Sequence, residues 1–214
     1  ITYQPYTTMK NSFNHPVVIL ANGAFPTHAI PLSIIDNACT LICTDGSADI
    51  ILRSGNQPHV IIGDQDSTQF TPDSFQGLWI PVQNQDKTDL HKALDWCNLN
   101  HIDALTIVGA TGKREDHSLA NINLIQPFSA KINLSIVTDF FTITCHKGAQ
   151  SFSSFKGQIV SLFGSGTIST YNLTFELSDK TIQNESHGVS NESLGKSFKV
   201  KSSEPVLVFR SHPE

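Results

Sequence analysis

Acidic side chains recur along the first half of the chain wherever a short apolar run gives way to a polar one. Asp45-Gly46 follows Leu41–Thr44, and Asp64 and Asp66 follow Ile61-Ile62-Gly63. Asp86 and Asp89 bracket Lys87-Thr88, and Arg114 and Asp116 follow Gly109-Ala110-Thr111-Gly112. Two carboxylates one residue apart, straight after a buried strand, repel each other. A divalent cation that takes hard oxygen ligands, such as Mg²⁺, removes that repulsion, and the plain alternative is an Asx turn. Asp45 can cap a helix or ligate, while Gly46 lets a phosphate approach a helix N-terminus, where free N–H groups point outward. Asp89 in a first helical turn is by itself a dipole partner. Glycines in the fourth segment allow a tight loop that wraps phosphate, and Arg114 supplies a planar donor fork for its oxygens. Asp116 either orients Arg114 or caps the next helix. This is not a Walker A loop, because GxxxxGK[ST] is absent. Four such loops on one edge are better explained by a single metal–polyphosphate site than by capping at every loop, and the chemistry implied is Mg²⁺-dependent phosphoryl transfer.

The elements that must position these loops alternate. Val17–Ala21, Thr40–Thr44, Val60–Ile62, Leu78–Val82 and Ala104–Val108 are short apolar runs separated by helical patterns. The clearest helix is Thr88–Asn98, capped by Thr88, with Leu90, Ala93, Leu94 and Cys97 on one face. Asp45–Ser54 ends at Gly55, the expected C′ position. Asp116–Ile125 is a third helix, with Leu119, Ile122 and Leu124 as core contacts. Alternation of this kind predicts a parallel sheet covered on both faces, with ligands at the carboxyl ends of its strands.

After about residue 127 the pattern changes to strand alternation in Ile132–Thr138, Phe140–His146, Ile159–Phe163, Asn172–Leu177, Ser197–Lys201 and Val206–Arg210. Phe198 and Val200 face one way, Lys199 and Lys201 the other. This half reads as an antiparallel sandwich. The expected organisation is an α/β domain over residues 1–127 and a β-sandwich over 128–214, divided at Gln126-Pro127.

Of the 214 residues, 39% are hydrophobic and 15% charged, a globular balance with a net charge of −5. Collagen, low-complexity and highly charged disordered chains are excluded. No apolar run approaches the roughly 18 residues of a membrane span, and Ile1–Asn14 lacks the apolar centre of a signal peptide. Residues 1–125 carry 12 acidic and 6 basic side chains, and residues 126–214 carry 7 and 8. The acidic half argues against a nucleic-acid surface, and a polyphosphate bound there would call for a divalent metal; plain surface solubility is the alternative reading of the charge. Cys39, Cys43, Cys97 and Cys145 form no CxxC pair and read as free thiols of a reducing cytosol.

DGSAD (45–49), IIGDQDS (61–67), DKTD (86–89) and GATGKREDHSLANI (109–122), in this order and spacing, resemble the thiamin pyrophosphokinase family. The resemblance runs from about Val17 to Asn123 and continues more weakly through the tail. It implies a Rossmann-like catalytic domain joined to a C-terminal β-sandwich for thiamin binding and dimerisation. The implied activity is transfer of the β,γ-pyrophosphoryl group of ATP to the hydroxyethyl group of thiamin, giving thiamin diphosphate and AMP, with Mg²⁺ as cofactor. It also implies a homodimer in which thiamin lies between one chain's catalytic domain and the other's sandwich.

By the same resemblance, Asp45, Asp64, Asp66 and Asp89 lie around Mg²⁺. Asp64, Asp66, Asp89 and Arg114 are catalytic, and the ATP contacts are Asp45, Gly46, Ser67, Thr88, Thr111, Gly112, Arg114 and Asp116. Ser190 and Asn191, in His187-Gly188-Val189-Ser190-Asn191, lie near the thiamin pyrimidine. Tyr171 offers an aromatic face to thiamin or is ordinary sandwich core. The chain departs from the family pattern at Ser47 and Asp49, where DGGAN would put Gly and Asn, at Gln65, and at Lys113, where Gly is usual. Two other readings stand beside this one. Asp64-Gln65-Asp66-Ser67-Thr68 also fits the DxDx[TV] pattern of haloacid-dehalogenase-like phosphatases, and a degenerate site would make a non-catalytic nucleotide or thiamin sensor.

Overall fold

The computed structural model describes residues 13–63, 75–182 and 185–213. They divide into two compact units, residues 1–139 and 140–214.

The first unit contains β1 (Val17–Leu20), α1 (Ala29–Asp36), β2 (Thr40–Thr44), α2 (Asp45–Arg53), β3 (Val60–Gly63) and β4 (Leu78–Pro81). It continues through α3 (Asp89–Leu99), β5 (Ala104–Val108), α4 (Glu115–Asn123), α5 (Ile125–Phe128) and β6 (Asn133–Val137). The strands pair in the order β6-β5-β1-β2-β3-β4, all parallel. Central strands reading VVIL and VIIG are buried at every position, the near-continuous apolar run expected when helices cover both faces. Because β1 lies between β2 and β5, the chain winds outward in one direction through β4 and then crosses back. The crevice between the β1 and β5 carboxyl ends is therefore the topological switch point, where open α/β sheets bind ligands.

Helix α3 forms as its periodicity requires. Thr88 accepts the His91 N–H at 3.3 Å through its hydroxyl, and Leu90, Ala93, Leu94 and Cys97 are all buried. Each fully buried Leu contributes about 1.5–3 kcal/mol over an exposed one. Helix α2 ends at Arg53 and is capped by Ser54, with Gly55 at φ +80° beyond it. Helix α4 corrects the sequence expectation: Leu119 is 63% exposed, and the buried residue of this helix is Asn121. The apolar anchoring passes instead to Ile125 and Phe128 of α5.

The domain division also moves. Residues 128–139 are expected with the sandwich, but Asn133–Val137 pairs in parallel with β5 and completes the first sheet. A five-residue run of mixed burial reads alike in either kind of sheet, so periodicity could not assign it.

The second unit comprises β7 (Phe141–Ser153), β8 (Ile159–Gly164), β9 (Thr167–Tyr171), β10 (Lys180–Thr181), a 3₁₀ turn at Glu185–Gly188, β11 (Asn191–Glu192) and β12 (Ser197–Ser211). Strands β7 and β12 pair along their whole lengths, with a register shift between Ser202 and Val206. Strand β8 joins the Val206–Arg210 end of β12, and β9 the Lys199–Ser202 end. Extended strand would place His146 about 20 Å from Phe152, yet their ring centroids are 5.0 Å apart. The long β7–β12 ribbon therefore bends and folds its two ends over one core of Phe152, Val160, Leu162, Phe198, Val200 and Val208. Phe198 and Val200 face inward and Lys199 and Lys201 outward, as their alternation predicts. Asn172–Leu177, expected as a strand, is a loop; the strand is Thr167–Tyr171 just before it.

Candidate functional site

A cleft of about 420 Å³ opens at the switch point. Its first wall is built from the loops after β1 and β5, which zip together: Gly23 N–H donates to Gly109 O (2.6 Å) and Ala24 N–H to Thr111 O (2.7 Å). Glycine is required at position 23, since a Cβ there would strike the carbonyl oxygens of Gly109 and Thr111. Gly112 turns the second loop at φ +90°, and Thr111, Lys113 and Arg114 line the cleft beyond it.

The facing wall is the start of α3. Thr88 and Asp89 line it, as does Lys92, which is only 2% exposed and donates to Asp89 Oδ1 at 2.8 Å. Lys87 also faces the cleft and is paired with Asp95. Burying a lysine stem beside a carboxylate fixes the Asp89 side chain at the cleft wall.

Arg114 occupies the N-cap position of α4 and clasps Asp116 with two hydrogen bonds, Nε to Oδ1 at 3.1 Å and Nη2 to Oδ2 at 2.6 Å. The bond from Arg114, helped by the His117 N–H, holds the Asp116 carboxyl below its ordinary range, and Asp116 in turn raises the Arg114 guanidinium. Both groups are exposed to water, so the clasp orients Arg114 without committing it; its fork remains available to an incoming oxyanion.

Asp45 begins α2, is 0% exposed, and packs against Gly63 at the end of β3. It is not among the residues lining the cleft, and neither are Gly46, Gly112 and Asp116. Ser47, where the family motif would carry glycine, is tied by its hydroxyl to Leu20 O (2.7 Å) and Thr44 O (2.6 Å), joining the helix start to β1 and β2. Asp64, Asp66 and Ser67 lie outside the described residues. Among the described residues no group of three or more metal-ligating side chains occurs. The donor chemistry nevertheless suits Mg²⁺: a wholly buried carboxylate abuts the residue that precedes Asp64 in the chain, and hard oxygen donors are what this cation takes.

In the second unit the three expected thiamin contacts have separate roles. Asn191 is consumed by the backbone of Phe175: its Nδ2 donates to Phe175 O (2.7 Å) and its Oδ1 accepts from Phe175 N–H (3.0 Å). Phe175 is thereby held 71% exposed. Ser190 sits at φ +60° and donates its N–H to Ser161 Oγ at 3.1 Å. Tyr171 is 47% exposed, which removes the sandwich-core alternative, and Lys199 Nζ lies 5.8 Å from its ring centroid.

The structure thus gathers Thr88, Asp89, Thr111 and Arg114 around one cleft. Sequence reasoning missed Asn22, Lys92, Lys113 and Asn121 as cleft residues. The i, i+3 spacing of Asp89 and Lys92 was a usable signal. Asn121 lies inside the 109–122 motif, but its role comes from a partner the motif does not show: its amide donates to Ala110 O at 2.8 Å across the β5 loop.

Two family models match the chain: "Thiamin pyrophosphokinase, catalytic domain" over residues 32–137 and "Thiamin pyrophosphokinase, substrate-binding domain" over residues 140–209. Thiamine pyrophosphokinase 1 of Oryza sativa is 28% identical over 148 residues, 57% of this chain and 55% of the relative. Thiamine pyrophosphokinase of Bacillus subtilis is 32% identical over 125 residues, 55% of this chain and 57% of the relative. The matched stretch spans a little over half the length of these curated relatives. The crystal structure of the Bacillus subtilis protein superposes with a TM-score of 0.74, covering 92% of this chain and 99% of that one. At 22% identity that likeness establishes the fold alone. Neither the phosphatase nor the sensor reading is favoured by these matches. Among the described residues no helix is long and apolar enough to cross a membrane.

Proposed function

We propose that this chain, which belongs to the thiamin pyrophosphokinase family, transfers the β,γ-pyrophosphoryl group of ATP to the hydroxyethyl group of thiamin and releases AMP. The observation that carries the reading is the meeting of Thr88, Asp89, Thr111 and Arg114 in one cleft at the switch point, from loops that bear the family's motifs. The thiamin hydroxyl oxygen attacks the β-phosphorus in line. The bond from that phosphorus to the α,β-bridging oxygen breaks, AMP departs with the oxygen, and the hydroxyl proton passes to a carboxylate. Asp64, Asp66, Asp86 and Asp89 are the candidates for that carboxylate.

The residues that would hold Mg²⁺ are Asp45, Asp64, Asp66 and Asp89, and the ion would supply charge neutralisation along the polyphosphate. Arg114 exchanges the Asp116 carboxylate for phosphate oxygens and spreads the charge that develops on them. Lys92 fixes Asp89, and the zipped β1 and β5 loops hold Thr111 and Arg114 in register, so little reorganisation accompanies the reaction.

Two further elements belong to this reading. The sandwich domain of a second copy completes the thiamin site, making the working form a homodimer. Mixing an Asp66→Asn chain with a Ser190 variant should restore activity on subunit exchange, and no recovery despite exchange contradicts the shared site. The chain works in a reducing cytosol, which suits its buried free thiols; recovery in a membrane or secreted fraction contradicts that.

Stoichiometric, thiamin-dependent release of AMP from ATP supports the proposed activity. ADP as the product, or phosphate release without thiamin, overturns it.

A further inference from the structure

Among the described residues four lysine and arginine side chains line the cleft, and three already have carboxylate partners. Lys87 pairs with Asp95, Lys92 with Asp89, and Arg114 with Asp116. The fourth, Lys113, is different: its Nζ donates to the neutral side-chain oxygen of Asn22 at 3.0 Å. Among the described residues it makes no ion pair. The bond joins residues 91 positions apart and spans the two zipped loops of one cleft wall, so the exposed ammonium is directed along the cleft rim.

An ammonium held by a neutral amide keeps its charge uncompensated. A highly anionic ligand entering this cleft therefore meets one cation it need not win from a carboxylate. We propose that Lys113 is a binding residue for the polyphosphate of the nucleotide, with Asn22 holding it in position until the phosphate oxygens replace the amide. This rests on the nucleotide reading of the cleft given above. It adds a second phosphate contact beside Arg114 on the same loop and gives the β1 loop a part in nucleotide capture. The ligand class follows from the chemistry: an oxyanion with several charges gains from a lone ammonium, whereas the cationic thiazolium of thiamin is repelled by it.

Calorimetric titration with ATP, without thiamin, tests the assignment in the full chain. Lys113→Gln keeps a side-chain N–H donor and removes the charge. ATP should bind it about ten-fold more weakly than wild type at low salt, the size expected for one lost charge-assisted hydrogen bond. The gap should narrow at high salt, because screening weakens the one charge contact that the wild type makes and the variant lacks, beside those common to both. Lys113→Arg should keep most of the affinity. Equal affinity in wild type and Lys113→Gln, or a deficit that does not change with salt, would overturn the proposal, the second result marking Lys113 as a strut between loops. Wild type that fails to bind ATP would overturn it too. Failure of the proposed reaction is seen separately, as absence of AMP formation by wild type.

Discussion

Asp45 fills the space a side chain on Gly63 would need. A Cβ at position 63 would lie 2.5 Å from Asp45 Cβ and 2.9 Å from its Cγ. The end of β3 is thus shaped around a wholly buried carboxylate on the neighbouring β2–α2 junction, immediately before Asp64-Gln65-Asp66.

Gly63→Ala must push Asp45 out of place. The expected cost is about 1–3 kcal/mol of stability, the usual penalty for overpacking, together with lower turnover and a raised Mg²⁺ requirement. Urea unfolding and a Mg²⁺ titration of AMP release check this. A variant with wild-type stability and wild-type Mg²⁺ dependence would separate Asp45 from the metal.

Acid should loosen the protein before its carboxylates are titrated. Burial lowers the affinity of His146 for a proton and Arg210 lowers it further; burial likewise lowers that of His91, partly offset by Asp95. Both imidazoles are depressed in the folded state, so their stabilisation is complete above the unfolded value and is lost as pH falls below it. The unfolded chain then binds more protons. The urea midpoint should fall between about pH 8 and about pH 5.5, and His146→Gln should make the fall shallower. An unchanged pH slope in His146→Gln would show that its ring is not the cause.

Thiol reactivity should divide the four cysteines. Burial pushes the Cys43 thiol up to about 12 and raises Cys97 still more, and Cys145 is buried on β7. Only Cys39 is exposed. A disulfide reagent near neutral pH should titrate one thiol in the native protein and four after denaturation. Rapid modification of a second native thiol would contradict the packing around β2 or α3.

What could be read from sequence was what local physics determines. Thr88 and the Leu90, Ala93, Leu94 and Cys97 face define α3 without outside help, and the largely apolar runs of β1, β2 and β3, buried at every position, announce a parallel sheet. Asn133–Val137 reads as a strand, as it is, but which sheet it joins is decided by its neighbour β5, through topology rather than its own residues. The bend that folds β7 and β12 over one core depends on a register shift near Ser202 that no periodicity shows. At the site, Thr88, Asp89, Thr111 and Arg114 were legible from the motifs, whereas Lys113 and Asn121, inside the same motif, acquire meaning only through Asn22 and Ala110 on other loops, and Lys92 through Asp89 one turn earlier.

The central claim is that two phosphates move together, and the fate of each phosphorus tests it directly. The protein is incubated with thiamin, Mg²⁺ and ATP labelled with ³²P at either the α or the β position, and the products are separated. The account predicts β-label in thiamin diphosphate and α-label only in AMP. β-Label retained in ADP, with thiamin gaining a single phosphate, would contradict it.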